Sequence, residues 1–138
     1  MGIPHKPFVP GTRMSHAILL FAHGARDPEW ALPFERLRTA VKKRLPGVWI
    51  ELAYLELMQP DLARAVDGLA DAGAKQIDIV PAFMAQGAHL KRDLPALIAA
   101  AQARHPQLVF KLRPALGESQ PVLDAMAEHI ARCNAGGV

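Results

Sequence analysis

The fold is decided by one stretch of the chain, Ala17-Ile18-Leu19-Leu20-Phe21-Ala22, which His23 and Gly24 follow at once. A short apolar run without polar interruption is typical of a strand that is buried on both faces, as the strands of a parallel sheet are. The run is too short for a membrane-spanning helix, which needs about 20 apolar residues. It therefore predicts a central parallel strand whose carboxyl end lies at His23.

Strand and helix patterns alternate along the rest of the chain. Further strands are predicted at Val48–Leu55, Ile77–Val80 and Leu108–Leu112. Helices are predicted over about 33–45, 61–72, 93–104 and 119–130, and the last of them carries Val122, Leu123, Met126 and Ile130. Repeated β-α units require a parallel sheet with right-handed crossovers. We expect an α/β fold with one doubly wound four-stranded parallel sheet, strand order 2-1-3-4, and helices on both faces.

The chain of 138 residues has the size of one domain, which we place at 15–133 between a flexible leader, 1–14, and a flexible tail, 134–138. The single cysteine, Cys133, excludes a disulfide framework or a thiolate metal cluster within one chain, and it favours a cytoplasmic location. No apolar segment is long enough to predict a membrane partner.

The net charge of +3 favours an anionic partner. Nucleic acid is not expected, because no basic run exceeds Lys42-Lys43-Arg44 and the eight aromatic residues (two Trp, one Tyr and five Phe) form no stacking pattern. A small polyanion explains the charge equally well.

Two histidines lie where neighbouring strands are predicted to end. His23 ends strand one, and His89 lies in the loop and helix entrance that follow strand three. In doubly wound sheets, ligands bind beyond the carboxyl ends of the strands, where the winding reverses between these two strands. Neutral imidazole binds first-row metals and accepts protons near neutral pH. With Glu56 just beyond strand two, the sequence predicts a metal-handling site at this edge.

Each of these residues also has a purely structural interpretation. A histidine at a strand end is often a hydrogen-bonded structural group, Glu56 can cap a helix or face solvent, and Gly24 and Gly87 can serve only as turn residues. The remaining histidines, His5, His16, His105 and His129, are expected to be solvated. The loop after strand one has too few glycines and hydroxyls to bind phosphate, and no Gly-x-Ser-x-Gly nucleophile elbow is present.

Three strings of sequence resemble a known family. They are Leu20–Pro28 (LFAHGARDP), Tyr54–Pro60 (YLELMQP) and Gln86–Pro95 (QGAHLKRDLP). In this order they are similar to the small class II tetrapyrrole chelatases of the CbiX type, and the likeness runs from about Ser15 to Arg132.

This resemblance implies insertion of a divalent metal, typically Co²⁺, into sirohydrochlorin on the route to cobalamin, with Fe²⁺ or Ni²⁺ in close relatives. No organic cofactor is implied, because the metal is a substrate. By motif, His23 and His89 correspond to the metal-binding and proton-accepting pair and Glu56 to an acidic helper. The family also implies a homodimer.

Sirohydrochlorin is a polycarboxylate, so cationic side chains near the rim are expected to anchor it, while apolar ones pack on the ring. The expected substrate contacts are Gly24, Ala25, Arg26, Phe83, Met84, Gln86, Gly87, Lys91 and Arg92. The charges can equally be ordinary solvated groups, and Phe83 and Met84 can belong to the core or to a dimer contact.

Two positions depart from the family pattern: Ala25 stands where serine is usual, and Gln86 where a second glycine is usual. These departures favour an alternative, a non-catalytic metal carrier or tetrapyrrole-binding protein. A third alternative, a metal-dependent hydrolase, would need a stronger site with three protein ligands and an open position for water, whereas the sequence offers two histidines and one carboxylate.

Overall fold

The computed structural model describes residues 15–134 and 136. The strands are β1 (His16–Ala22), β2 (Trp49–Tyr54), β3 (Gln76–Pro81) and β4 (Val109–Leu112). The helices are α1 (Leu32–Arg44), α2 (Leu62–Ala72), α3 (Ala88–Arg104) and α4 (Gln120–Asn134), with short 3₁₀ helices at Pro28–Ala31 and Leu116–Glu118. The predicted leader, 1–14, and most of the predicted tail lie outside the described residues.

The four strands form one parallel sheet in the order β2-β1-β3-β4, which confirms the predicted topology. At its carboxyl end, β1 pairs Ala22 with Tyr54 of β2 and Phe21 with Pro81 of β3. The loops that follow β1, β2 and β3 therefore leave the sheet at the same edge. The strand bounds differ from the predicted ones by at most one residue at each end, where ladder pairing rather than apolar character decides the boundary.

Alternate residues of β1 face opposite layers of the molecule. Leu19 and Phe21 are fully buried in a cluster with Leu69 of α2 and Leu94 of α3. Leu20 belongs to a second cluster, against which residues of α1 pack. Because successive side chains of a strand point to opposite faces of the sheet, β1 contributes to both hydrophobic clusters. The two clusters confirm the prediction of helices on both faces.

The third helix begins earlier than predicted, at Ala88 rather than around Asp93. Gly87 is its N-cap, and the backbone N–H of Lys91 donates to the Gly87 carbonyl at 3.0 Å, which closes a turn that the sequence pattern did not reveal. Of the predicted loop and helix entrance, His89 therefore occupies the entrance, in the first turn of α3. The helical spacing over 93–104 predicts that Leu94 and Leu97 both face inward; Leu94 is buried, but the prediction was wrong for Leu97, which is exposed.

A buried acidic residue, Asp78, interrupts the apolar pattern of β3. Its carboxylate accepts hydrogen bonds from His16 Nε2 at 3.1 Å, Gln76 Nε2 at 3.0 Å and the Arg113 guanidinium at 2.8 Å. The His16 side chain is only 12% exposed, so the prediction that it is solvated was wrong. A buried carboxylate in a sheet requires such partners, and His16 supplies one of them.

A second histidine prediction was also wrong, because His105 is half-buried and its Nε2 lies 2.7 Å from Asp67 Oδ1. Asp67 also forms an ion pair with Arg104. His129 of α4 is exposed, as predicted, and His5 lies outside the described residues.

Asp78 makes stability depend on pH. Burial by itself would raise the pKa of Asp78, but hydrogen bonds from Gln76, Arg113 and His16 outweigh it and hold that pKa below its ordinary value of 3.8. Because the folded pKa is the lower one, the carboxylate stabilises the fold above that ordinary value, and this stability is lost as pH falls through the folded pKa. We expect Asp78→Asn to lower Tm at neutral pH and to reduce the fall of Tm at acidic pH, as circular dichroism would measure.

The matched control for this experiment is Asp71→Asn, since Asp71 is exposed on α2. This variant should reproduce the wild-type dependence of Tm on pH. If Asp78→Asn also shows the wild-type dependence of Tm on pH, the hydrogen bonds to Asp78 do not make the proposed contribution to stability.

The fourth helix differs from the other three in its packing. It lies against the 3₁₀ helix Leu116–Glu118, and none of its residues is buried. Ile130 is 67% exposed, although it belongs to the apolar positions that define the helical pattern. Within 15–134, no helix is long and apolar enough to cross a bilayer.

Candidate active site at the carboxyl edge of the sheet

The loops after β1 and β2 are joined by backbone hydrogen bonds. The Leu55 N–H donates to the Ala22 carbonyl at 2.9 Å, and the Glu56 N–H donates to the His23 carbonyl at 3.1 Å. These bonds continue the β1–β2 ladder past both strands. They place His23 and Glu56 side by side, outside the carboxyl edge of the sheet.

Gly24 is required for this close approach. Its φ is +95°, a left-handed conformation that favours glycine, and a Cβ placed there would lie 1.8 Å from the Glu56 carbonyl oxygen. The glycine that the sequence analysis placed among the substrate contacts therefore has a role in packing the two loops against each other.

The His23 and Glu56 side chains form a pair, with Nε2 and Oε2 2.9 Å apart. An ionised carboxylate can only accept, so His23 donates its Nε2–H and retains the Nδ1 lone pair. The side chains are 55% and 54% exposed, so the pair contributes little to stability. Its main effect is to orient the ring and set its tautomer, which leaves Nδ1 available for a metal ion or a proton.

His89 has partners from its own helix. Its side chain is 85% exposed, and Arg92 Nη2 lies 2.8 Å from His89 Nδ1. A guanidinium only donates, so Nδ1 accepts and the neutral ring carries its proton on Nε2. The carboxylate of Asp93 lies 3.7 Å from the same Nδ1.

The structure thus pairs two of the three predicted site residues, His23 and Glu56, and leaves His89 at the entrance to α3 with Arg92 and Asp93. Within 15–134, no group of three or more His, Cys, Asp and Glu side chains is arranged to hold a metal ion. A closed, tightly binding metal centre is therefore not preformed among the described residues.

The other predicted contacts differ in exposure. Arg26, Lys91 and Arg92 are exposed, and so is Gly87, whereas Ala25 and Gln86 are half-buried. Phe83 is half-buried and meets Phe21 edge-on, with ring centroids 6.3 Å apart, whereas Met84 is 62% exposed. Phe83 thus anchors its loop in the core, and Met84 projects from it.

Sequence reasoning missed two residues at this edge. The Gly117 N–H donates to the Phe83 carbonyl at 2.8 Å, and a Cβ on Gly117 would lie 1.8 Å from the Met84 carbonyl oxygen. Leu57 has a φ of +66° and is 58% exposed. Leu57 lies within the string Tyr54–Pro60, which resembles the family, but no role was predicted for its side chain, and nothing in the sequence marks Gly117.

A doubly wound parallel sheet with an imidazole–carboxylate pair beyond its carboxyl edge defines the class: an α/β protein with a polar site outside the carboxyl ends of β1 and β2. The CbiX family model matches residues 17–133, and the chain belongs to that family. The resemblance seen in the three sequence strings is thereby confirmed.

Relatives with known structures share the fold. A CbiX protein from Marinobacter aquaeolei superposes with a TM-score of 0.76 at 30% identity, covering 88% of this chain and 98% of that one. The sirohydrochlorin chelatase SirB from Bacillus subtilis, in complex with cobalt, superposes with a TM-score of 0.75 at 26% identity, covering 85% of this chain and 50% of that one.

Among sequence relatives, the sirohydrochlorin cobaltochelatase of Methanopyrus kandleri is 33% identical over 82 residues, which are 59% of this chain and 57% of that protein. The chloroplastic sirohydrochlorin ferrochelatase of Arabidopsis thaliana is 28% identical over 116 residues, which are 84% of this chain and 52% of that protein. The chain thus spans little more than half the length of these two relatives.

Proposed function

We propose that the protein is a chelatase that inserts a divalent metal, with Co²⁺ as the first candidate, into sirohydrochlorin. The observation that carries this proposal is the His23–Glu56 pair, which leaves a ring nitrogen free at the carboxyl edge of the sheet. The family and the names of the relatives support the same reaction. No organic cofactor enters the proposal, because the metal is a substrate.

Insertion requires removal of two pyrrolic N–H protons and transfer of a hydrated ion to four ring nitrogens. In our proposal, His23 offers Nδ1 to the ion or to a proton, and Glu56 stabilises the positive charge that the ring then carries. His89 supplies the second imidazole. A site of few ligands without thiolates suits this reaction, because it must release the metal to the product.

Arg92 is proposed to link substrate binding to His89. Its guanidinium now donates to His89 Nδ1 and also lies 3.4 Å from Asp93 Oδ1. A substrate carboxylate is a stronger acceptor for the guanidinium than a neutral imidazole is. Arrival of the polycarboxylate ring would therefore draw Arg92 away and free the His89 nitrogen, while Arg26 and Lys91 provide further positive charge at the rim.

The choice of metal rests on relatives. Histidine and carboxylate ligands accept several first-row ions, so the site residues do not discriminate among Co²⁺, Fe²⁺ and Ni²⁺. Co²⁺ comes first because the relative from Methanopyrus kandleri is a cobaltochelatase, and Fe²⁺ follows because the plant relative is a ferrochelatase. We also place the protein in the cytoplasm, because its single cysteine fits a reducing compartment.

A non-catalytic metal or tetrapyrrole carrier is the second candidate. It is favoured by the lack of a three-ligand group within 15–134 and by the two departures at Ala25 and Gln86. A carrier would bind the ring or the ion without accelerating their combination.

The test is the rate of metal insertion into sirohydrochlorin, followed by absorbance with Co²⁺, Fe²⁺ and Ni²⁺ in parallel. A chelatase accelerates insertion above the protein-free reaction and ranks the three ions. A folded protein that binds sirohydrochlorin but gives the protein-free rate with every ion would be a carrier.

We further propose that the protein acts as a homodimer in which a second copy covers α4. This helix buries none of its residues, and Ile130 is exposed on it. Uncovered apolar residues on an amphipathic helix are typical of an interface. The SirB chain, of which this chain covers 50%, is long enough to contain a second unit of this size.

Ile130→Asp is expected to dissociate the proposed dimer, because a buried unpaired carboxylate is costly in an interface. The apparent dimer dissociation constant should rise about 100-fold or more, measured by analytical ultracentrifugation. Ala131→Asp adds the same charge to another face of α4 and should leave the dimer intact. A monomeric wild type, or an unchanged Ile130→Asp dimer, would contradict the proposal.

A further inference from the structure

Two large apolar side chains are exposed at the edge that carries the His23–Glu56 pair. Leu57 follows β2 and is 58% exposed, and Met84 follows β3 and is 62% exposed. Because β2 and β3 are the two neighbours of β1, these side chains lie on either side of the loop that carries His23.

Leu57 is held in its exposed position by the backbone. Its φ of +66° lies in the left-handed region, which is unfavourable for a side chain with a Cβ. The loop around it is tied down by the Glu56 N–H on the His23 carbonyl and by the Tyr54 N–H on the Pro60 carbonyl, at 3.1 Å and 2.9 Å. This conformation costs free energy and gains no core packing in return, because the side chain that it exposes is apolar. Residues with such unfavourable backbone conformations concentrate at functional sites.

Met84 is held at the other side by two neighbours. Phe83 anchors the loop on Phe21, and Gly117 contacts the Met84 backbone so closely that no Cβ would fit between them. The Met84 side chain is therefore presented outward by a supported backbone. Its flexible thioether adapts well to a flat apolar surface.

The separation of these side chains suits a broad planar ligand. Neighbouring strands lie about 5 Å apart, so the loops after β2 and β3 leave the sheet about 10 Å apart with His23 between them. A tetrapyrrole macrocycle is wide enough to span two strand spacings. Its faces are apolar, and its carboxylates lie at its periphery. Arg26, in the loop after β1, and Lys91, in the first turns of α3, are exposed cations that those carboxylates can pair with.

We propose that Leu57, together with Met84, forms the apolar support for one face of the tetrapyrrole and holds the ring in front of His23. Leu57 is thus a further substrate-contacting residue. This inference rests on the proposed function, because it takes the same ring as its ligand.

The test is binding of metal-free sirohydrochlorin to Leu57→Asn, measured by quenching of the ligand's fluorescence. Asparagine tolerates the left-handed conformation but lacks the apolar surface. We expect the Kd for the ring to rise about tenfold, with no fall in Tm. Leu57→Gly, which removes both the strain and the side chain, should be at least as stable and bind as weakly. Leu45→Asn, a partly exposed leucine at the end of α1 remote from this edge, is the matched control and should bind like the wild type.

The outcomes separate this inference from the proposed function. If the wild type inserts metal and both Leu57 variants bind the ring as tightly as it does, the contact is overturned and the chelatase is not. If the wild type binds the ring without inserting metal, the chelatase is overturned, and the weaker binding of the Leu57 variants still supports the contact. If the wild type binds no ring, both are overturned.

Discussion

His23→Ala is expected to lower the rate of metal insertion by about 100-fold or more, the range over which a positioned acid–base group contributes. The substitution removes the ring nitrogen that the Glu56 carboxylate leaves free, and it removes the group that Glu56 stabilises. Because the pair is more than half exposed, Tm should change by no more than about 2 °C. Initial rates of absorbance change and a thermal melt would measure the two effects.

Three further variants sharpen this test. Glu56→Gln keeps a hydrogen-bond acceptor but removes the negative charge, and we expect a loss of about 10-fold to 100-fold. His89→Ala should also lose insertion, whereas His129→Ala removes an exposed histidine of α4 and should retain the wild-type rate. Full activity in His23→Ala would refute the assignment of the site to this edge of the sheet.

Gly24→Ala is expected to disrupt both stability and function. The new Cβ would meet the Glu56 carbonyl oxygen at 1.8 Å, and the φ of +95° is itself unfavourable for alanine. Left-handed strain and overpacking together amount to about 2–4 kcal/mol, which lowers Tm by roughly 10 °C. Relief of the clash must separate the loops that bear His23 and Glu56, so insertion should fall with stability.

Gly68→Ala is the matched control for this variant. Gly68 lies within α2, and a Cβ there would meet nothing within 4 Å. Alanine in a helix interior is more favourable than glycine by roughly 0.5–1 kcal/mol, so Tm should stay level or rise. An equal loss of Tm in both variants would show that the contact with Glu56 is not the cause.

The architecture was largely predictable because it depends on local patterns. Short apolar runs marked the strands, helical spacing marked the helices, and four β-α units left few topologies to choose from. The errors arose where a local pattern competed with a tertiary partner. His16 was predicted to be solvated, but its side chain is only 12% exposed, because it donates a hydrogen bond to the buried carboxylate of Asp78 and offsets part of the cost of burying that charge.

The candidate site was predictable to a smaller extent. Strand order alone placed His23 and Glu56 at one edge, and the structure pairs their side chains at 2.9 Å. His89 was placed at the same edge but belongs to the first turn of α3 and interacts with Arg92, which depends on where the helix begins.

By itself, the sequence determined which segments become strands and helices, their parallel order, and which titratable residues reach the carboxyl edge of the sheet. Those properties follow from hydrophobic periodicity and chain connectivity, which act over short distances along the chain. Only the tertiary structure decided that Gly24 lies against Glu56, that Gly117 supports Met84, and that Leu57 is held outward in a left-handed conformation. Such contacts join residues from separate loops, and their geometry depends on the packing of the whole sheet rather than on any local pattern.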